Sequence, residues 1–196
     1  MSSEFFLEDF LLTTFKDNRN KKRTDVLHKV VLNEFLNLYP EYSECVWKYE
    51  VDLPDSYGSK FRVDIVGFDK NGGSKIVICD KSMNGNISQN LKNYANCSVG
   101  ESIRLLYAEE NQDIEKMIFF TVMPRRAPYF TKNGEKKHIE DVVKARKNTN
   151  IDKVMNQLWG ERVELIHYSY DIVEVDEYTK KEEFATGISI RNLVKE

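Results

Sequence analysis

Two apolar runs, "KFRVDIVGF" (60–68) and "SKIVICDKS" (74–82), flank the pentapeptide "DKNGG", and no other feature restricts the fold as much. Asn71-Gly72 between β-branched runs is a hairpin signal, because both residues tolerate the left-handed backbone of tight turns. With Asn71 and Gly72 as a two-residue loop, Asp64 lies opposite Cys79. A three-residue loop centred on Gly72 sets Asp64 opposite Asp80 instead. A third segment, "CVWKYEVDL", precedes the pair and alternates Trp47, Tyr49 and Val51 against Val46, Lys48 and Glu50. In the middle strand Phe61, Val63 and Ile65 alternate against Arg62, Asp64 and Val66. The centre of the chain therefore reads as a three-strand meander.

The meander sits between helical patterns. "RTDVLHKVVLNEFLNLYPEY" places Leu27, Val30, Val31, Phe35 and Leu38 on one helical face, and Pro40 closes it. Glu34 falls inside that apolar stripe, so it is either solvated at the edge or faces something that attracts a carboxylate. Downstream, "NISQNLKNYANC" reads as a helix and "EKMIFFTVMP" as a central strand stopped by Pro124. "KKHIEDVVKARKNTNIDKVMNQLWG" reads as one or two helices ending at Gly160, and "RVELIHYSYDIVEV" as a last strand. This order predicts an α/β layered domain. We read residues 1–196 as a single unit, with 1–22 as an N-terminal arm, 24–122 as its core, and 123–196 as C-terminal helices and a strand.

Composition removes several function classes. Three cysteines (Cys45, Cys79, Cys97) without a CxxC pair argue against a disulfide framework or a cysteine zinc site. His28, His138 and His167 are scattered and read as structural or surface residues. The apolar runs are too short to span a bilayer, and acids occupy the N-terminus where a signal peptide is positive, so a cytoplasmic protein without a membrane partner is expected. Net charge is −3. Locally basic runs at Lys16–Arg23, Pro124–Pro128 and Lys136–Lys147 are the exceptions. Trp47 and Trp159 read as core residues.

An acid on one strand and a lysine at the end of the next form an arrangement suited to phosphodiester hydrolysis. Mg²⁺ requires oxygen ligands, and a lysine can position the attacking water. "FRVDIVGF" followed by "KIVICDKS" resembles the core of the PD-(D/E)XK nuclease superfamily, the fold of many restriction endonucleases. Asp64 matches the first aspartate of that pattern, and Lys81 with Ser82 matches the end of the (D/E)-x-K motif. Glu34 resembles the glutamate often found on the preceding helix. Gln89 and Tyr94 resemble a glutamine and tyrosine of the following helix. The resemblance spans about residues 24–122. It implies a restriction-endonuclease-like central mixed β-sheet flanked by helices. It further implies a metal-dependent DNA endonuclease using Mg²⁺ or Mn²⁺, with duplex DNA as partner and a homodimeric assembly. Asp64 and Glu34, joined by Asp80 where a bulge brings it to the same face, would hold the metal, Lys81 and Gln89 would complete the catalytic set, and Arg125, Arg126 and Lys92 would contact the DNA backbone.

The chain departs from the pattern at one position. Lys81 fixes the tripeptide as Cys79-Asp80-Lys81, so cysteine stands where the family has an acid, and a thiol is a poor Mg²⁺ ligand. Three readings are open at this level. Catalysis has been lost, leaving a DNA- or protein-binding, inhibitory module. Alternatively, a bulge turns Asp80 onto the working face. In the third, Glu34, Asp64 and Glu50 suffice for one metal.

Overall fold

Helix α1 (Lys22–Leu38) forms because its apolar residues recur every turn, and Leu27, Val31 and Phe35 are driven against one face of a central sheet. It stops at Leu38, and Pro40 opens a short 3₁₀ turn, Pro40–Glu44. The computed structural model describes residues 7, 8, 10, 11, 22–83, 85–186 and 188–196. Strands β1 (Val46–Pro54), β2 (Lys60–Phe68) and β3 (Ser74–Ser82) form the expected antiparallel meander. β4 (Lys116–Pro124) and β7 (Val163–Ile172) add in parallel, and β8 (Ile190–Lys195) closes the edge antiparallel. The sheet order is β1-β2-β3-β4-β7-β8. This is the mixed central sheet flanked by helices that the sequence predicts.

The sheet divides two cores. On one face α1 packs on Ile65, Ile76, Ile78, Ile118, Phe120 and Ile166. On the other, α2 (Ile87–Leu106) and α4 (Ile151–Trp159) cover Val66, Val77, Cys79, Met117 and Phe119. β3 and β4 are buried on both faces, which is why they read as continuous apolar runs.

Four local expectations are corrected. The β2–β3 loop is longer than Asn71-Gly72: Asp69 N–H donates to the Gly73 carbonyl at 2.9 Å, and the Asp69 carboxylate accepts from Asn71 N–H and Gly73 N–H. The two-residue registry still holds from Ile65↔Ile78 to Gly67↔Ile76, because a register shift after Gly67 absorbs the extra residue. Residues 136–141 are not the start of a helix. Arg126–Phe130 and Lys136–Asp141 pair as a ribbon, β5 and β6, before the short helix α3 (Val142–Lys147). The Glu140 carboxylate on that ribbon accepts from Ile87 N–H at 2.7 Å, which satisfies the start of α2. Helix α5 (Lys181–Thr186) precedes β8. Finally, most of the N-terminal arm and the basic run at 16–21 lie outside the described residues. Leu7, Phe10 and Leu11 do not form a detached arm: they are buried in the α1-side core.

Gly67 sits where the indole of Trp47 crosses the sheet, and a Cβ there would lie 2.9 Å from Trp47 Cη2 and Cζ3. We expect Gly67→Ala to lower stability by about 1–3 kcal/mol, the usual cost of overpacking. Urea denaturation measures it, and in a Trp47→Leu background the same change should cost clearly less.

Candidate active site

β3 pairs with β4 without interruption from Ile76↔Lys116 to Ser82↔Val122. Strand alternation therefore holds to its end: Ile76, Ile78 and Asp80 look toward α1, while Val77 and Cys79 look toward α2. No bulge turns Asp80 across. The acid instead meets a group delivered by α1: His28 Nδ1 lies 2.6 Å from Asp80 Oδ2, with both side chains buried. The other ring nitrogen, His28 Nε2, lies 3.2 Å from Glu50 Oε1, and the Tyr49 ring stacks on the imidazole with centroids 5.6 Å apart. Asp80 N–H donates to Asp64 Oδ2 at 2.8 Å. One ligand atom each from His28, Glu50 and Asp64 fall within 4.8 Å of one another.

The two strands carrying Glu50 and Asp64 are kinked where these residues face each other, between the pairs Tyr49↔Ile65 and Val51↔Val63. Trp47 packs in the α1-side core, but Val51 and Leu53 pack in the α2-side core. Val63 likewise packs toward α2 and Ile65 toward α1, so the simple alternation read from the sequence breaks at Asp64. Glu50 has φ 52°, a left-handed backbone that costs a non-glycine residue about 1 kcal/mol. The kink aims both carboxylates at His28.

The charges are strongly coupled. Burial by itself would lower the His28 pKa, but the hydrogen bond to Asp80, the charge of Asp80 and the contact with Glu50 outweigh it and raise it to about 9. Burial and the neighbouring Asp80 charge push Asp64 up to about 7. Burial raises Asp80 as well, while its hydrogen bond to His28 and the charges of His28 and Lys81 pull the other way. We place the proton held near neutrality on Asp64, because Asp80 has the imidazolium against it. Burial keeps the Cys79 thiol protonated, reinforced by the charges of Glu101, Asp64 and Asp80.

The other residues singled out by sequence are dispersed. Lys81 is exposed at the end of β3, and its charge acts on Asp64, Asp80 and Glu101. Glu34 lies apart from the cluster, half-buried. Its carboxylate acts on the Tyr168 hydroxyl, which burial and this contact push up to about 12. Gln89 is exposed on α2 and donates to the Tyr129 hydroxyl, and Tyr94 is core. Arg125 pairs with Asp171 at 2.9 Å, and Arg126 makes two 2.8 Å bonds to Asp176. Lys92 is exposed on α2. Sequence reasoning missed His28, which it took for a scattered histidine, and Glu101. The latter is a half-buried glutamate of α2 whose pKa burial raises and whose charge bears on Lys81 and Cys79. The helical stripe Tyr94, Ser98, Glu101, Ser102, Leu105 was a signal for Glu101. His28 had none beyond its place beside Leu27, since its partner Asp80 is 52 residues away.

Both titrations have the same sign. His28 holds its proton to about 9 rather than 6.5, so its contribution to stability is complete below about 6.5 and disappears as pH rises to 9. Asp64, neutral in the fold up to about 7 against 3.8 when unfolded, adds a loss between those values. Thermal melts of metal-free protein should show a midpoint falling steadily from about pH 5 to pH 9, and His28→Gln should flatten the upper half of that curve. A midpoint that climbs over this range contradicts the charge assignment.

No protein-family model matches the chain, and no curated protein matches it. Among solved structures it is similar to the cryoEM structure of a DrdV–DNA complex, at 17% identity and TM-score 0.37, over 74% of this chain and 90% of that chain. Among the described residues no helix is long and apolar enough to cross a membrane.

Proposed function

We propose that the chain is a metal-dependent DNA endonuclease of the PD-(D/E)XK type, hydrolysing phosphodiester bonds. The observation that carries this reading is the pairing of two acids on neighbouring strands, Asp64 of β2 and Asp80 of β3, joined by the Asp80 N–H to Asp64 hydrogen bond, with the Lys81 charge acting on both. A half-buried and a buried carboxylate on neighbouring strands repel each other, and a divalent cation, Mg²⁺ or Mn²⁺, would offset that repulsion while neutralising charge on the scissile phosphate. Asp64 and Glu50 are the oxygen donors within reach of one point. The exposed Lys81 ammonium can hold the attacking water or a phosphate oxygen, and its charge also acts on Glu101. Duplex DNA as substrate and a homodimeric form follow from the family resemblance. Backbone contacts by Arg125 and Arg126 would require phosphates to displace Asp171 and Asp176, which leaves Lys92 and Lys81 as the simpler first contacts.

One observation supports a second reading, a catalytically degenerate module that binds DNA or a protein without cutting. Cys79 is packed in the apolar α2-side core, so the family's acid position has been absorbed into packing.

Plasmid and short duplexes incubated with the chain in Mg²⁺ or Mn²⁺ decide between the two. We expect cleavage that Asp64→Asn and Lys81→Ala each reduce by about a hundredfold or more. Cys79→Glu should lower stability rather than raise activity, because it buries a fourth acid beside Asp64, Asp80 and Glu101. Salt-sensitive binding without cleavage would select the second reading.

A further inference from the structure

We infer that His28, through Nε2, is a direct ligand with Glu50 and Asp64 of a first-row transition-metal cation, and that Asp80 acts behind it by orienting the imidazole. The inference rests on the proposed function only in taking this cluster as a metal site, and cleavage is not required for it.

The geometry separates the two roles of the acids. The donor atoms of His28, Glu50 and Asp64 all lie within 4.8 Å of one another, a span that one ion can bridge. Asp80 stands behind the ring, on the far nitrogen: its Oδ2 is 2.6 Å from Nδ1, while Nε2 points toward Glu50 at 3.2 Å. Metal-bound imidazoles are commonly held this way. A carboxylate accepts the proton of the remote nitrogen, fixes the tautomer and makes the near nitrogen a better donor. Asp80 cannot drift from this task, since its backbone N–H is committed to Asp64 and β3 is in unbroken register with β4. The ring is fixed by the Tyr49 stack and by near-complete burial, His28 being 1% exposed.

The donor set also specifies the ion. Mg²⁺ takes oxygen ligands in a strict octahedron and gains little from an imidazole. One nitrogen and two carboxylates suit Mn²⁺, Fe²⁺, Co²⁺ or Zn²⁺ better. The left-handed backbone at Glu50 is explained by the same arrangement, because it turns that carboxylate out of the strand's pleat toward Nε2. The alternative is a clamp in which His28 merely ties Asp80 to Glu50.

Mn²⁺ serves as the probe. Pulsed electron paramagnetic resonance on Mn²⁺ bound to the full chain should show the modulation of a directly bonded ¹⁴N, and calorimetry should find one site that Mg²⁺ fills more weakly. His28→Gln should remove the nitrogen signal and weaken Mn²⁺ binding at least tenfold. Asp80→Asn should weaken it about tenfold to a hundredfold while keeping the signal, and Glu34→Gln should change nothing. Glu50→Gln, at an exposed position, provides a second ligand test if His28→Gln fails to fold. Bound Mn²⁺ without nitrogen modulation, or no Mn²⁺ binding at all, overturns the inference. Nitrogen-ligated metal in a chain that never cleaves DNA would defeat the nuclease reading and leave this one intact. Cleavage in Mg²⁺ with metal affinity indifferent to His28 would do the reverse.

Discussion

The contact between His28 and Asp80 holds the site to the fold. It ties α1 to β3 across the interior of an otherwise apolar layer, where either charge alone would be expensive to bury. As a pair they tolerate the low dielectric, and everything next to them takes its position from that pairing. The imidazole orders Glu50 on one side, while Asp80 offers its N–H to Asp64 on the other. Removing one partner would leave the other buried and uncompensated, so the interaction constrains the fold even if it adds little net stability.

The second constraint is the alternation of a strand. Cys79 and Asp80 are neighbours in sequence, yet a sheet and its two flanking helices separate their surroundings. Cys79 is enclosed with Leu91 and Tyr94, and Asp80 belongs with Ile76 and Ile78. An acid displaced by one residue cannot return to the original face without a bulge, and the unbroken β3–β4 register shows that none forms. The kink in β1 and β2 resolves this from the other direction. It brings Glu50 and Asp64 toward the side that Asp80 already occupies.

The layered fold was legible because its signals are local. The α1 stripe, the paired apolar runs and the strand-ending prolines each depend on residues a few positions apart. The β2–β3 registry was legible for the wrong reason, since the Asp69-capped loop and the shift after Gly67 offset each other. The β5–β6 ribbon was not legible: "KKHIED" is too charged to show strand alternation, and its pairing with β5 and the α2 cap at Glu140 are tertiary. The leading residues Leu7, Phe10 and Leu11 were hidden by their distance from the core they fill. Within the site, Asp64, Asp80 and Lys81 were visible as a motif. His28 was not, because a single histidine in a helical stripe looks the same whether it packs, pairs or binds.

Charge accounting shows why these residues belong together. Glu50, Asp64 and Asp80 place three carboxylates about one imidazole, with Lys81 the nearby ammonium. In the metal-free chain the imbalance is relieved by protons, which is what the elevated Asp64 and His28 titrations express. A divalent cation would relieve it more directly, because ionised carboxylates and a neutral Nε2 would then be ligands rather than competitors. A purely structural clamp would be better served by one acid and one base. The additional carboxylates, and the left-handed backbone that positions one of them, have a physical use once a cation shares the site.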